Sequence, residues 1–269
     1  MIAALGFQRD RLVQQFRQLC TIGPGADHNL IGGNLAAISA AEGYNTLLID
    51  LDAQANSTHY LTGLSGADIP PGMADFFKQS LLPTAEKQKP RANITHSAYP
   101  NLHLITASAE LRELQAKLET RYKVQKLGKL LNRLDKDYER IYLDTPPGLN
   151  FYSLSAMIAA DRCLIPFDCD SFSRQTLYEV LREIEDIQED HNEDLRVEGI
   201  VVNQFQSRAA LPQQLIDEML AEGLPLLPVY LMSSVKMRES HQRCTPLIHL
   251  DPTHKLTQQY RELFALLES

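Results

Sequence analysis

Cysteine is scarce in this sequence and carries no ligand pattern. The four thiols stand at positions 20, 163, 169 and 244, with no C-x-x-C pair and no Cys/His spacing of a zinc site. Neither a disulfide framework nor a structural metal is expected; buried free thiols in a reducing compartment are. Long apolar runs are missing too, since none approaches the ~18 residues of a membrane span. The apolar start, Met1 to Phe7, has neither a basic leader nor a small-residue cleavage site. An excess of positive charge is also absent. With 26 Lys and Arg against 34 Asp and Glu the formal charge is −8, which argues against coating nucleic acid by bulk charge but leaves room for a local basic patch. No repeat and no low-complexity linker interrupts the chain, so a single domain over 1–269, soluble, cytoplasmic and without membrane attachment, is the expectation.

What is present is an alternation of short apolar runs with longer helical patterns. Strand candidates are Asn45–Leu51, Leu102–Thr106, Arg140–Leu143, Arg162–Phe167, Arg196–Val202 and Leu226–Tyr230. Helical patterns run near 30–42, 108–135, 151–160, 172–190, 211–222 and 254–267. Runs such as Thr46-Leu-Leu-Ile-Asp50 are apolar without alternation, as strands covered on both faces are. The predicted fold is therefore α/β, a mostly parallel sheet flanked by helices on both faces. Its first strand has two readings. Ile2–Phe7 is the favoured one, with a helix near 9–19 after it; in the other, Gln18–Ile22 is the strand and Met1–Arg17 an extension.

Ser65–Lys89, with Pro70-Pro71-Gly72 and Pro83, reads as an irregular excursion. Residues 112–140 hold nine basic and five acidic side chains and 179–194 hold eight acidic and one basic, and each run reads as the wet face of a helix. The last helix carries a stripe of Leu256, Tyr260, Leu263, Phe264 and Leu267 under a polar face of mixed charge, which fits core packing better than a membrane anchor.

In an open parallel sheet, ligands sit at the carboxyl ends of the strands. Two such ends carry aspartates: Leu47-Leu-Ile-Asp50-Leu-Asp52 and Ile141-Tyr-Leu-Asp144-Thr145-Pro146-Pro147. A carboxylate there suits hydrated Mg²⁺, an ion that takes few protein ligands and keeps several waters. Asp50 and Asp52 straddle one residue and point to opposite sides, so one can hold magnesium water while the other orients a nucleophilic water. Taken singly, each motif reads better as a cap of the following helix or turn.

Together the segments form a recognisable pattern. Asp50-Leu-Asp52-x-Gln54-x-Asn56-Ser57 resembles the second Walker segment of the ParA/MinD/Soj family of deviant-Walker P-loop ATPases, and Leu143-Asp144-Thr145-Pro146-Pro147 resembles its Walker B. Asn34-Leu-Ala-Ala37, Ala159-Ala-Asp161-Arg-Cys-Leu-Ile-Pro166 and the tail segments Pro228-Val-Tyr, Val235-Lys-Met-Arg-Glu239 and Thr245-Pro-Leu continue the likeness over about residues 29–268, closer to ParA-type partition proteins than to MinD. The resemblance implies ATP and Mg²⁺ as cofactors, Asp50 and Asp144 as metal-organising residues, and Asp52 as the catalytic residue that orients water. It also implies a homodimer around nucleotide, non-specific DNA association through Arg208, Lys236 and Arg238, a nucleoid-associated cytoplasmic location, and release by a ParB-like or adaptor partner. Asn203 and Pro228 fall where the family contacts the base; a helix or turn cap is the equal alternative for Asn203.

The family's phosphate loop, K-G-G-x-G-K-[ST]-T, is degenerate here. Anchored on Asn34-Leu-Ala-Ala37, the stretch reads Gly23-Pro24-Gly25-Ala26-Asp27-His28-Asn29-Leu30, with 22 residues from His28 to Asp50. Gly23 stands at the signature lysine, His28 at the phosphate lysine and Asn29 at the magnesium hydroxyl, inside an atypical N-terminal segment, 8–28. Each lost charge-assisted hydrogen bond is worth about 1.5–3 kcal/mol, so fast hydrolysis by the family route is not expected. Gly23, Gly25, His28 and Asn29 remain the candidate nucleotide contacts. Two functions follow: a ParA-type partition or positioning protein for a plasmid, chromosome or organelle such as the carboxysome, or a pseudo-ATPase of the same fold acting as a scaffold.

Overall fold

The computed structural model describes residues 18–23, 29–82 and 93–269, with the backbone alone of Asn29 and Ser171. Its strands are β1 (Gln18–Thr21), β2 (Thr46–Asp50), β3 (Thr95–His96), β4 (Leu102–Ile105), β5 (Arg140–Asp144), β6 (Arg162–Asp168), β7 (Arg196–Phe205) and β8 (Leu226–Met232). The helices are α1 (Asn29–Ala41), α2 (Asn56–Thr62), α3 (Met73–Leu81), α4 (Glu110–Thr120), α5 (Lys126–Leu134), α6 (Phe151–Ala159), α7 (Ser171–Asp190), α8 (Ala210–Ala221), α9 (Val235–Gln242), α10 (Leu247–Leu250) and α11 (Lys255–Glu268).

The strands form one sheet in the order β3-β4-β2-β5-β1-β6-β7-β8, parallel throughout except for the short edge strand β3. Because successive side chains point to opposite faces, each central strand feeds two cores. Leu47, Ile49, Ile141 and Leu143 pack with α3 to α8 on one side. Leu48, Tyr142, Leu164 and Val201 pack with α1, α2 and α11 on the other. All five stripe residues of α11 are buried in this second core, and a bidentate ion pair from Arg140 to Glu268 ties the helix end to the start of β5. No helix among the described residues is long and apolar enough to cross a membrane.

Three expectations change. The strand that leads to the loop is Gln18–Thr21, at the centre of the sheet between β5 and β6, so the second reading of the N-terminus is the one the structure takes. Residues 18 and 19 are thus strand and not helix, while Ile2–Phe7 and the pattern over 9–17 lie outside the described residues. The pattern over 108–135 is two helices, because α4 ends where Tyr122 turns into the left-handed region at φ 50°. The excursion after Ser65 contains a helix, α3, whose Met73, Ala74 and Phe77 are drawn into the core; its loop signals lie on either side of that helix.

Candidate functional site

Asp50 and Asp144 are register partners at the last positions of β2 and β5, so two carboxylates leave the sheet side by side. Both are wholly buried, and Asp52 is 4% exposed. Asp50 is well held. It accepts hydrogen bonds from the backbone N–H of Asp52 (3.0 Å) and of Thr58 (2.8 Å) and from the Thr58 hydroxyl (2.7 Å). Thr58 is the third residue of α2, whose N-cap is Ala55 with no side-chain oxygen, so Asp50 supplies that helix with its cap. Asp52 closes the intervening turn by accepting from the Gln54 N–H at 2.9 Å. Capping is therefore a role both residues perform, and it leaves Asp50 about one of its four acceptor positions.

Asp144 is different. Its Oδ1 accepts a long bond of 3.4 Å from the Thr21 hydroxyl, and its Oδ2 accepts none from the described residues. The Ser57 hydroxyl faces it and favours its charged form. Burial pushes the Asp50 carboxyl up to about 7 against the pull of the Thr58 and Asp52 bonds. Burial, and then the Asp50 charge beside it, holds Asp144 well above the usual carboxylate range. The pair is a place for positive charge: ionising both without a counter-ion would cost several kcal/mol.

Gly23, which stands at the family's signature lysine, supplies no such charge. Gly23 passes so close to β6 that a Cβ there would stand 2.6 Å from the Pro166 carbonyl oxygen. A lysine does not fit at Gly23 unless the backbone moves. Gly25, His28 and the Asn29 side chain lie outside the described residues. Gly32, one turn into α1, brings that helix against the carboxylate: a Cβ at this position would stand 3.6 Å from Asp144 Oδ1.

Asn203, near the end of β7, donates from Nδ2 to Asp168 Oδ1 at 2.9 Å and lines a cleft of about 380 Å³ with Gln204, Ser233, Ser234 and Arg238. Pro228 is not part of that cleft; it is exposed on the edge strand β8, where a missing N–H does no harm. Arg208 and Arg238 are exposed, but Lys236 lies 2.9 Å from Glu239 and 3.7 Å from Asp251. A separate cavity of about 650 Å³ opens between the Asp52 turn and the β4–α4 loop, lined by Gln54, Asn56, Pro71 and Ala107 among others and by none of the three aspartates.

Several residues escaped the sequence reading. Thr58 both grips Asp50 and accepts from the Ala107 N–H at 2.9 Å, joining the aspartate to the β4–α4 loop. Its signal is a hydroxyl in the first turn of a helix, invisible while 56–62 carries no assigned element. A buried polar chain ties α1, α2 and α9: the Tyr60 hydroxyl donates to Asn34 Oδ1 (3.0 Å) and meets Ser240 Oγ (2.7 Å), and the Leu247 N–H donates to Asn34 (3.1 Å).

A family profile described as an AAA domain matches residues 28–197. The sporulation initiation inhibitor protein Soj of Bacillus subtilis is 27% identical over 232 residues, 86% of this chain and 88% of its own. The chromosome partitioning protein ParA of Myxococcus xanthus is 27% identical over 86% of this chain and 79% of its own. The chain belongs to the ParA/MinD-type family of P-loop ATPases. Among solved structures, apo McdA of Cyanothece superposes with a TM-score of 0.81 at 18% identity, over 93% of this chain and 99% of that one. The fold is shared even where the sequence is not, and the relatives support a partition or positioning role of the ParA type.

Proposed function

We propose that this ParA/MinD-type chain distributes a cellular cargo as a homodimer that binds ATP with Mg²⁺, associates non-specifically with DNA and is released by a ParB-like or adaptor protein. The observation that carries the nucleotide half is the aligned pair Asp50 and Asp144, with one desolvated carboxylate oxygen that has no donor among the described residues. Among the described residues no three His, Cys, Asp or Glu side chains converge as a ready-made metal centre. Two carboxylates, with phosphate and water for the rest, nonetheless suit Mg²⁺. Asp144 and Asp50 would hold the ion, which when bound neutralises phosphate charge. Asp52 orients water from the other side of the strand end, and Asn203 meets the base at the rim of its cleft. A Cyanothece McdA variant solved with ATP, and a cobyrinic acid a,c-diamide synthase solved with ADP and magnesium, share this fold and lend support.

One observation favours a second reading, a pseudo-ATPase scaffold: Gly23 has no space for the signature lysine. Thermal-shift titration with ATP, ADP and a non-hydrolysable analogue, each with and without Mg²⁺, separates the two. A ligand at 100 times its Kd adds about 2.7 kcal/mol of stability. A Mg²⁺-dependent shift with ATP supports the nucleotide-binding reading, and no shift at millimolar nucleotide leaves the scaffold.

A further inference from the structure

Ion pairing engages part of the positive charge of the described residues. Arg140, Arg162, Arg174, Arg261, Lys78 and Lys236 each hold a carboxylate. Several of the remaining cations gather on helix α5 and the turns at its two ends. Lys126, Lys129 and Arg133 recur on one face of α5, with Lys136 in the turn that follows, while Leu127, Leu130, Leu131 and Leu134 bury the opposite face. Lys129, Arg133 and Lys136 are exposed, and neither they nor Arg121 and Lys123 of the preceding turn make an ion pair among the described residues.

The α4–α5 turn adds an independent feature. The Tyr122 N–H donates to the Glu119 carbonyl (2.9 Å) and the Lys123 N–H to the Leu118 carbonyl (3.0 Å), the double bond pattern of a Schellman helix end. The left-handed position of that motif is usually glycine. Here it is Tyr122, at φ 50°, with 91% of its surface in water. A large aromatic held in an unfavourable backbone conformation, between Arg121 and Lys123 and exposed among the described residues, contributes little to the core.

We propose that the outer face of α5 and the Tyr122 turn bind the phosphate backbone of DNA. The inference rests on the DNA-associating reading above and moves its main contact surface away from Arg208, Lys236 and Arg238. Lysine, arginine and tyrosine are the side chains that contact phosphate and sugar without reading sequence. From Lys126 to Lys136 the helical rise spans about 15 Å, along which duplex DNA presents about nine phosphates. A membrane surface fits less well, because the apolar face of α5 is already in the core and leaves nothing to insert. At α9, by contrast, Glu239 and Asp251 already occupy Lys236.

The test is duplex binding by fluorescence anisotropy over a salt series, with and without ATP and Mg²⁺, for wild type, Lys129→Ala/Arg133→Ala, Tyr122→Gly and Arg208→Ala/Arg238→Ala. Losing two phosphate contacts should lower the slope of log K against log salt by about 1.8, equally for unrelated sequences. Tyr122→Gly should raise the urea midpoint, since glycine accepts the left-handed backbone, and still weaken binding severalfold; a merely structural residue would not part those readouts. An unchanged slope in the α5 variant, with loss in Arg208→Ala/Arg238→Ala, overturns the proposal and leaves the DNA reading standing. Wild type that ignores duplex DNA at low salt overturns both, and binding to polyglutamate in place of duplex assigns the face to an acidic protein instead.

Discussion

Asp144→Asn isolates the free energy tied up in the buried carboxylate pair. The substitution is nearly isosteric, and it disturbs little: Oδ1 accepts only the 3.4 Å bond from Thr21 and Oδ2 accepts none from the described residues. In the wild type the folded-state pKa of Asp144 lies well above its ordinary value, because burial and the Asp50 charge disfavour the ion. The fold therefore holds this proton more tightly than the unfolded chain does. The stability it contributes is complete below the unfolded pKa near 4 and is lost as pH rises toward the folded value. For the neighbouring Asp50 that window runs from 3.8 to about 7. Asparagine has no proton to lose. As pH rises above the unfolded value the variant should gain on the wild type by up to about 1.4 kcal/mol per pH unit. Urea denaturation of both proteins at half-unit pH steps, with chelator present, reads this difference directly. Millimolar Mg²⁺ at pH 7.5 should then stabilise the wild type and leave the variant unmoved. A difference that stays flat with pH, or a variant less stable throughout, refutes the reasoning.

Thr58→Val removes the donor to Asp50 and strands the Ala107 N–H, so urea denaturation should show a loss of about 2–3 kcal/mol. Thr58→Ser keeps both bonds and should lose about 1 kcal/mol for the buried methyl. Gly23→Lys restores the family residue in name alone; with its Cβ 2.6 Å from the Pro166 carbonyl it should destabilise by about 1–3 kcal/mol and add no ATP hydrolysis in a phosphate-release assay. Hydrolysis by that variant would mean the loop and β6 can part. Tyr60→Phe and Ser240→Ala, compared in a double-mutant cycle, should couple by about 1 kcal/mol through their shared 2.7 Å bond; additivity would deny the link between α2 and α9.

Period and composition made the sheet legible. Strands such as Leu47-Leu-Ile and Ile141-Tyr-Leu are apolar on both faces, a demand that only a covered parallel sheet makes. The N-terminal strand was harder because Gln18-Leu-Cys-Thr21 is four residues long and borders a helical pattern, and only its pairing with both β5 and β6 decides the matter. Short helices failed for a related reason. The seven residues of α2 owe their place to Asp50, which caps them from the end of β2 eight residues upstream, a contact that leaves no periodic pattern. The aspartates themselves were legible because strand ends concentrate function. Thr58 and the Asn34–Tyr60–Ser240 chain were not, since side-chain hydrogen bonds across 8, 26 and 180 residues leave no periodic trace.

The two halves of the site argue in opposite directions, and electrostatics connects them. The loop has Gly23 and His28 where its family supplies lysine charge and Asp27 in place of a glycine, while Asp50, Asp52 and Asp144 all remain. Among the described residues a polyphosphate approaching this set would meet carboxylates and no lysine, so on our reading it binds together with a cation. Nucleotide affinity should therefore depend on Mg²⁺ more steeply than in a site whose lysines share the load. A scaffold that had abandoned nucleotide would face no such requirement, and an asparagine at position 144 would serve it better, because a buried carboxylate with one oxygen lacking a donor among the described residues lowers stability at neutral pH. A charge kept where it destabilises the fold points to a ligand that needs it. The pH series on Asp144→Asn thus measures more than a pKa: a gain in stability identifies the cost the native sequence carries for a cation, and no gain removes the main reason to place a cation-dependent site above a scaffold.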